Sequence, residues 1–391
     1  MILEALIKIV CVVAVMLLSV AYMILAERKI AGWIQDRIGP NRAGPRGIVQ
    51  PICDGLKLLF KEDYTPGHVS RLLFIIAPAI TMGLAVAAFA VIPFGGEIEI
   101  AGRMIPLQIA PVDIGILFIL AAGSLGVYGV LLGGWASNNK YSFIGGLRVA
   151  AQMLSYETPL ALAILSIVML SGSIRLEKIV QLQIDGGPAC LGWNVFSQPL
   201  VFLIFLVCIF AETKRVPFDL TECEQELVGG YHTEYSSMKF GLYFLGEYAH
   251  MIVASSLAIV LFFGGWHVPF ITSHDSSITA AALRCICFYV KLWMFIYFYM
   301  WVRWTLPRFR IDQVMRIGWK AGVLGGLALL MINALIMYLF PNDGLQSRTV
   351  QLAANVALFI VAVLAVGYSK TELSVENQPV SLEKIDDTIE C

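Results

Sequence analysis

Nine runs of about twenty predominantly apolar residues, separated by short polar segments, set the limits on what this chain can fold into. They fall near residues 2–25, 71–93, 112–135, 146–171, 191–211, 240–265, 282–302, 319–340 and 350–368. A helix rises about 1.5 Å per residue, so about twenty residues cross the ~30 Å of hydrocarbon in a bilayer. Backbone amides find no water there, and a single segment satisfies them internally only as a helix. The expected fold is an all-α polytopic membrane protein of about nine transmembrane helices. One membrane domain covers residues 1–370, and a polar tail follows at 371–391. Composition agrees: 58% of the 391 residues are hydrophobic and 14% charged, against about 25% charged in a soluble domain. The first run lacks a basic start and a small-residue cleavage site, so it reads as a retained span.

The basic residues give the orientation. If the N-terminus faces outward, 20 of the 27 Lys and Arg residues fall on inner segments or the tail. Cytoplasmic loops carry such an excess. An outer N-terminus and an inner tail are therefore expected.

Inner residues 26–70 are rich in Gly, Pro and Arg, and residues 48–61 fit an interfacial amphipathic helix. Ile48, Val49, Ile52, Leu56, Leu59 and Phe60 share one face, and Gln50, Asp54, Lys57 and Lys61 the other. Too short to span, it is expected along the membrane surface, as a generic interfacial helix or as part of a site. A second inner segment, 211–240, places Glu212, Asp219, Glu222, Glu224, Glu226 and Glu234 among Leu, Val, Phe and Tyr. That mixture suits a folded segment dipping into protein, with an acidic surface loop as the alternative. A third, 303–317, holds Arg303, Arg308, Arg310 and Arg316, for which inner-side bias is one explanation.

Glu157 lies near the middle of its run, Glu247 about a third of the way into its own, and Lys291 similarly deep in another. A charge at the centre of a span costs about 2.5–3.5 kcal/mol on insertion scales, so its usual meaning is a substrate, ion or proton path. Pairing of either Glu with Lys291 as structural glue is the competing reading. Tyr243, Glu247 and His250 follow i, i+4, i+7 spacing and share a helix face. Gly126, Gly129, Gly133 and Gly134 suggest close helix packing.

No redox centre is expected in the chain itself. The eight cysteines (Cys11, Cys53, Cys190, Cys208, Cys223, Cys285, Cys287 and Cys391) form no Cys-x-x-Cys, and the five histidines are scattered. Neither metal nor iron–sulfur ligation is indicated. No phosphate-binding glycine motif sits in a strand–turn–helix context, and with a net charge of −1 no nucleic-acid partner is expected.

Two inner stretches, ERKIAGWIQDRIGPNRAGPRGIVQPICDGLKLLFKE and AETKRVPFDLTECEQELVGGYHTEYSSMKFGLYFLGEY, resemble the signature regions of a known family. It is the quinone-site membrane subunit of proton-pumping NADH:quinone oxidoreductase, respiratory complex I, found in bacteria and in mitochondria. The resemblance runs from about residue 20 to about residue 340. It implies a chain that anchors the hydrophilic arm and helps form a quinone tunnel, coupling quinone reduction to proton translocation. Quinone is then the substrate at a shared site, and the electron-transfer centre belongs to a partner. The implied partners are the hydrophilic quinone-site and iron–sulfur subunits, small membrane subunits leading to antiporter-like ones, and the lipid bilayer. By motif, Glu27, Arg28, Arg37, Asp54, Lys57, Lys61, Arg303, Arg308 and Arg310 are assigned to the quinone tunnel. Glu157, Glu212, Asp219, Glu222, Glu224, Glu226, Glu247 and Lys291 are assigned to a proton relay. Cys223 departs from the small residue usual in relatives, and the last run and tail exceed the shorter members. That extension suggests a bacterial cytoplasmic (inner) membrane rather than a mitochondrial one. The equivalent subunit of a related membrane hydrogenase or other quinone-reducing complex is the alternative, and a secondary transporter the distant one, since no internal repeat of spans is evident.

Overall fold

The computed structural model describes residues 2–100, 103–186, 192–220, 227–267, 277–340 and 348–361. Glu222, Glu224 and Glu226, Cys223, and the tail at 371–391 lie outside these described residues. Among the described residues twelve helices occur in chain order: α1 Ile2–Ile34, α2 Gln50–Phe60, α3 Arg71–Phe89, α4 Gly115–Ala136, α5 Lys140–Ser171 and α6 Leu176–Asp185. They continue with α7 Asn194–Ser197, α8 Pro199–Glu212, α9 Ser237–Phe262, α10 Ile278–Thr305, α11 Ile311–Leu339 and α12 Arg348–Val361. Seven of them (α1, α3, α4, α5, α9, α10 and α11) are long and apolar enough to cross a membrane; α8 and α12 are shorter and apolar. All nine fall on the expected runs.

Helix ends differ from expectation where nothing in the sequence stops a helix. The first apolar run ends at residue 25, but AERKIAGWI contains no strong breaker and α1 continues to Ile34. At about 1.5 Å per residue its 33 residues extend ~50 Å, well beyond the hydrocarbon. Glu27 and Arg28 therefore sit on a rigid helix rather than a loop. Helix α11 likewise begins at Ile311 and passes through a π-helical turn at Ile317–Val323. The fifth run is instead divided. Pro199 has no N–H to continue a helix and starts α8, so Gln198 takes a non-helical conformation between α7 and α8.

Helix α9 is the hub, packing on α3, α10 and α1. Ile252 through Phe262 are buried on every side, as befits a helix that is apolar all round. Around it α3 packs on α4, α4 on α5, and α5 on both α8 and α11. Of Gly126, Gly129, Gly133 and Gly134 in α4, three serve close packing. A side chain on Gly129 meets Thr81, one on Gly133 meets Tyr243, and one on Gly134 meets the backbone of Ser142; Gly126 has open space instead.

Two features of the loops go beyond the expected spans. Glu97–Ile100 and Arg103–Pro106 pair as an antiparallel hairpin between α3 and α4. Helix α6 buries Leu176, Ile179, Val180 and Gln183, an i, i+3, i+4, i+7 stripe. The Gln183 amide donates to the Val260 carbonyl at 2.9 Å, fastening α6 to α9.

Candidate functional site: a buried charge cluster between α1, α8, α9 and α10

Beyond α8 the chain must turn back, and Lys214 supplies the turn with a left-handed φ of 56°. The reversal sends Arg215 into the protein, where it is 5% exposed. Its Nε lies 3.0 Å from Glu247 Oε1, and its Nη1 lies 3.4 Å from Glu27 Oε1. The first is an ion contact rather than an aligned hydrogen bond. The guanidinium also stacks on the Tyr248 ring, 4.3 Å from its centroid. Glu27, 8% exposed on the projecting part of α1, further accepts from Arg303 Nη1 and from the Tyr248 hydroxyl. Two carboxylates thus face two guanidiniums. A buried charge is tolerated when paired in this way.

Beside the cluster, His250 Nε2 lies 3.3 Å from Glu212 Oε1. Glu212, Lys214, Tyr231, Tyr243, Glu247 and His250 line a cavity of about 30 Å³, room for about two waters. The face of α9 expected from its spacing is therefore real. Helix α4 then brings two acids to neighbouring positions. A Cβ on Gly123 would stand 2.8 Å from Glu212 Oε1, and the Ser124 hydroxyl donates to Glu157 Oε1. Asp219 forms a separate pair with Arg308 at 2.8 Å.

The loop over the cavity is aromatic. Tyr235 stacks on Phe74 at 3.9 Å, and burial pushes its hydroxyl up to about 12. Burial, with Lys214 nearby, holds His232 down at about 4.

Helix α2 lies against α1 and α9 with none of its residues fully buried. Its polar side turns inward: Asp54 pairs with Arg28 at 2.6 Å and accepts from Gln50 at 3.1 Å. The Ser237 hydroxyl holds its end by donating to the carbonyls of Leu58 and Lys61, at 3.0 and 2.9 Å. Ile52, Leu56, Leu59 and Phe60 remain exposed, an apolar stripe turned away from the rest of the chain. Lys57, Lys61 and Arg310 are exposed, and Arg37 bonds to Gln35 at 2.8 Å.

The expected tunnel residues thus divide. Glu27 and Arg303 join the buried cluster and Arg308 holds Asp219, while the others lie along α2 and the exposed inner segments. Of the expected relay residues, Glu247, Glu212 and Glu157 come together around α4 and α9. Lys291 does not join them. Its Nζ donates to the carbonyls of Phe263, Gly265 and His267 at 2.9, 2.9 and 3.2 Å. Those carbonyls follow the C-terminus of α9, at least ~24 Å along the helix from Glu247. Arg215 and Tyr248 carry the cluster but stand out from no pattern in the sequence. Arg215 sits in a Lys-Arg pair and reads there as inner-side charge. Nothing local marks Tyr248.

A family model described as NADH dehydrogenase matches residues 7–335. The H-type subunit of NADH-quinone oxidoreductase from Flavobacterium psychrophilum is 46% identical over 342 residues, covering 87% of this chain and 98% of that protein. The protein of the same name from Leptospira biflexa is 48% identical over 339 residues, 84% of this chain and 93% of its own. NADH-quinone oxidoreductase subunit 8 from Rhodothermus marinus is 47% identical over 336 residues, 84% and 96% of the two chains.

Proposed function

The chain belongs to the NADH dehydrogenase family, and from that premise we propose that it works at the quinone end of the complex. It is a multi-pass membrane subunit of NADH-quinone oxidoreductase, and other subunits of that complex are its partners. In this reading α2, with Arg28, Arg37, Asp54, Lys57 and Lys61, forms one wall of a quinone path. The apolar stripe of α2 serves the tail of the quinone and the polar wall serves its headgroup. Arg308 and Arg310 line the approach from the other inner segment. Glu27, Arg303 and Arg215 couple that wall to Glu247, Glu212 and Glu157, which share protons; Asp219 and the acids at 222, 224 and 226 extend the set. Lys291 takes a packing role instead. The hydrophilic quinone-site and iron–sulfur subunits cover the α2 side, and smaller membrane subunits flank the acids. The compartment is a bacterial cytoplasmic membrane, with the N-terminus outside.

One observation carries this reading: Arg215 touches Glu27 and Glu247 at once. A change of charge on either carboxylate alters the hold of the guanidinium on the other. Burial and neighbouring acids raise carboxyl pKa values and basic partners lower them, so such a set can be poised to exchange protons. The test is Glu247→Gln in the assembled complex. Quinone reduction and pumping are expected to fall together by about tenfold or more, equivalent to ~1.4 kcal/mol in the barrier. Reduction of an artificial acceptor upstream of quinone is expected to persist. Parent rates of quinone reduction and pumping in a normally assembled complex would remove Glu247 from any such role.

A further inference from the structure

The reversal that carries Arg215 inward is held only loosely by its own backbone. Lys214 turns left-handed without being a glycine, a conformation that persists where the surroundings hold it in place. The N–H groups of Lys214 and Arg215 reach the carbonyls of Ala211 and Phe210 at 3.3 and 3.4 Å, beyond the roughly 2.7–3.2 Å of a well-made N–H···O bond.

A side chain from another helix supplies the grip. Gln152 of α5 is 1% exposed. Its Nε2 donates to the Ala211 carbonyl at 2.8 Å and to the Phe218 carbonyl at 2.9 Å. One nitrogen thus spans the two ends of the reversal, with Arg215 between them in the chain. Both partners are carbonyls, which only accept, so the amide nitrogen must face them. That leaves Gln152 Oε1 enclosed, with no hydrogen-bond partner among the described residues. An unanswered buried acceptor is destabilising, and a Met of similar size would avoid it. What the amide provides in exchange is its two donated bonds.

We propose that Gln152 is a positioning residue for quinone reduction: its amide fixes the reversal so that Arg215 bridges Glu27 and Glu247. It acts through the guanidinium, by keeping Nε and Nη1 on the two carboxylates at once. This role rests on the reading that the charge cluster takes part in turnover.

A double-mutant cycle in the assembled complex tests it, with Gln152→Met, Arg215→Lys and the pair. Gln152→Met keeps the volume and removes both donors. The kcat of quinone reduction per assembled complex is expected to fall roughly tenfold, the size of one or two buried hydrogen bonds, with KM for quinone unchanged. Arg215→Lys keeps the charge without the planar fork and should lower kcat as well. Adding Gln152→Met to Arg215→Lys should lower kcat by no more than about a further twofold, because the group it positions is already gone. Gln183→Met is the control. It removes the buried amide that clamps α6 to the far end of α9, and should lower the melting temperature while leaving kcat at the parent value. Where Gln152→Met fails to assemble, Gln152→Asn replaces it: a methylene shorter, its amide no longer spans both carbonyls, and the same cycle applies. Parent kcat in an assembled Gln152 variant overturns the proposal, as do losses that multiply in the pair, or an equal fall of kcat in Gln183→Met. Parent kcat in Arg215→Lys shows that turnover does not need the bridge between the two carboxylates, and removes the role of Gln152 with it.

Discussion

At one end of α8, Arg215 ties Glu27 to Glu247; at the other, Gln198 ties Asn333 to Asn355. The amide cluster is buried more completely than the charged one: Gln198 and Asn333 are fully enclosed and Asn355 is 1% exposed. Gln198 Nε2 donates to Asn333 Oδ1 at 2.9 Å, and Asn333 Nδ2 returns the bond at 3.1 Å. Asn355 Nδ2 donates to Gln198 Oε1 at 3.0 Å, which docks α12 on the bundle. Arg348 secures the start of α12 by donating to the Gly186 and Gly192 carbonyls, at 2.8 and 3.1 Å. The same helix therefore ends in two polar clusters of different kinds. The amides fix geometry and hold no exchangeable charge at neutral pH. The carboxylates and guanidiniums are interdependent, so a change at one member alters the rest. Geometry alone would be served by amides at both ends; the charged end calls for another explanation.

Breaking the charged end should have the largest effect. Arg215→Met leaves Glu27 with Arg303 and takes the guanidinium away from Glu247. Removing one partner of a buried pair costs about 3–5 kcal/mol, so the complex should melt earlier and assemble poorly on native gels. Adding Glu247→Gln should recover part of the loss. An Arg215→Met complex with the parent melting curve would show that the cluster carries no such dependence.

Breaking the amide end should cost less. Gln198→Leu strands Asn333 and takes one of two acceptors from Asn355, which keeps the Gln351 carbonyl; at about 1–3 kcal/mol it should lower thermal stability while leaving quinone reduction per assembled complex unchanged. Replacing all three amides by Leu should be milder than the single change, since removing every partner leaves no orphan. A loss of turnover in the triple variant would place the amide cluster in the mechanism and end the contrast.

Acid should separate the two ends more gently. His232 is held at about 4 against 6.5 for a free side chain. Its neutral form is favoured in the fold, so the contribution is complete above 6.5 and lost as pH falls toward 4. Hydrogen-exchange protection in residues 227–236, taken relative to the intrinsic rate at each pH, should fall across that window, while peptides around Gln198 and Asn333 should keep theirs. The smallest effect is expected at Lys57, exposed on α2. Lys57→Ala should change the melting free energy by no more than about 0.5 kcal/mol, although quinone reduction should fall if α2 walls the path. Unaltered turnover would confine the site to the buried groups.

Much of this contrast is only half visible in the sequence. Runs of apolar residues locate the nine apolar helices found among the described residues, because span length is set by the membrane. The i, i+4, i+7 spacing of Tyr243, Glu247 and His250 puts them on one face, and one cavity receives all three. The partners of that face come from α8, α1 and α4, and no local pattern specifies them. Arg215 depends on a left-handed turn at Lys214, which the sequence marks with no glycine. Asn355 is a lone amide in an apolar run until Gln198 is found opposite it. Lys291 has the spacing of an intramembrane charge, but its ligands are backbone carbonyls, which every residue possesses and no sequence distinguishes.

That lysine bears on how the chain enters the bilayer during synthesis. Alone in lipid, a lysine at this depth in α10 costs about 2.5–3.5 kcal/mol. Its three acceptors lie just past the end of α9, the preceding helix, and are made by the ribosome before Lys291 itself. Leaving the translocon as a preformed hairpin, with the ammonium already chelated, therefore spares α9 and α10 the costly intermediate that partitioning one after the other would pass through.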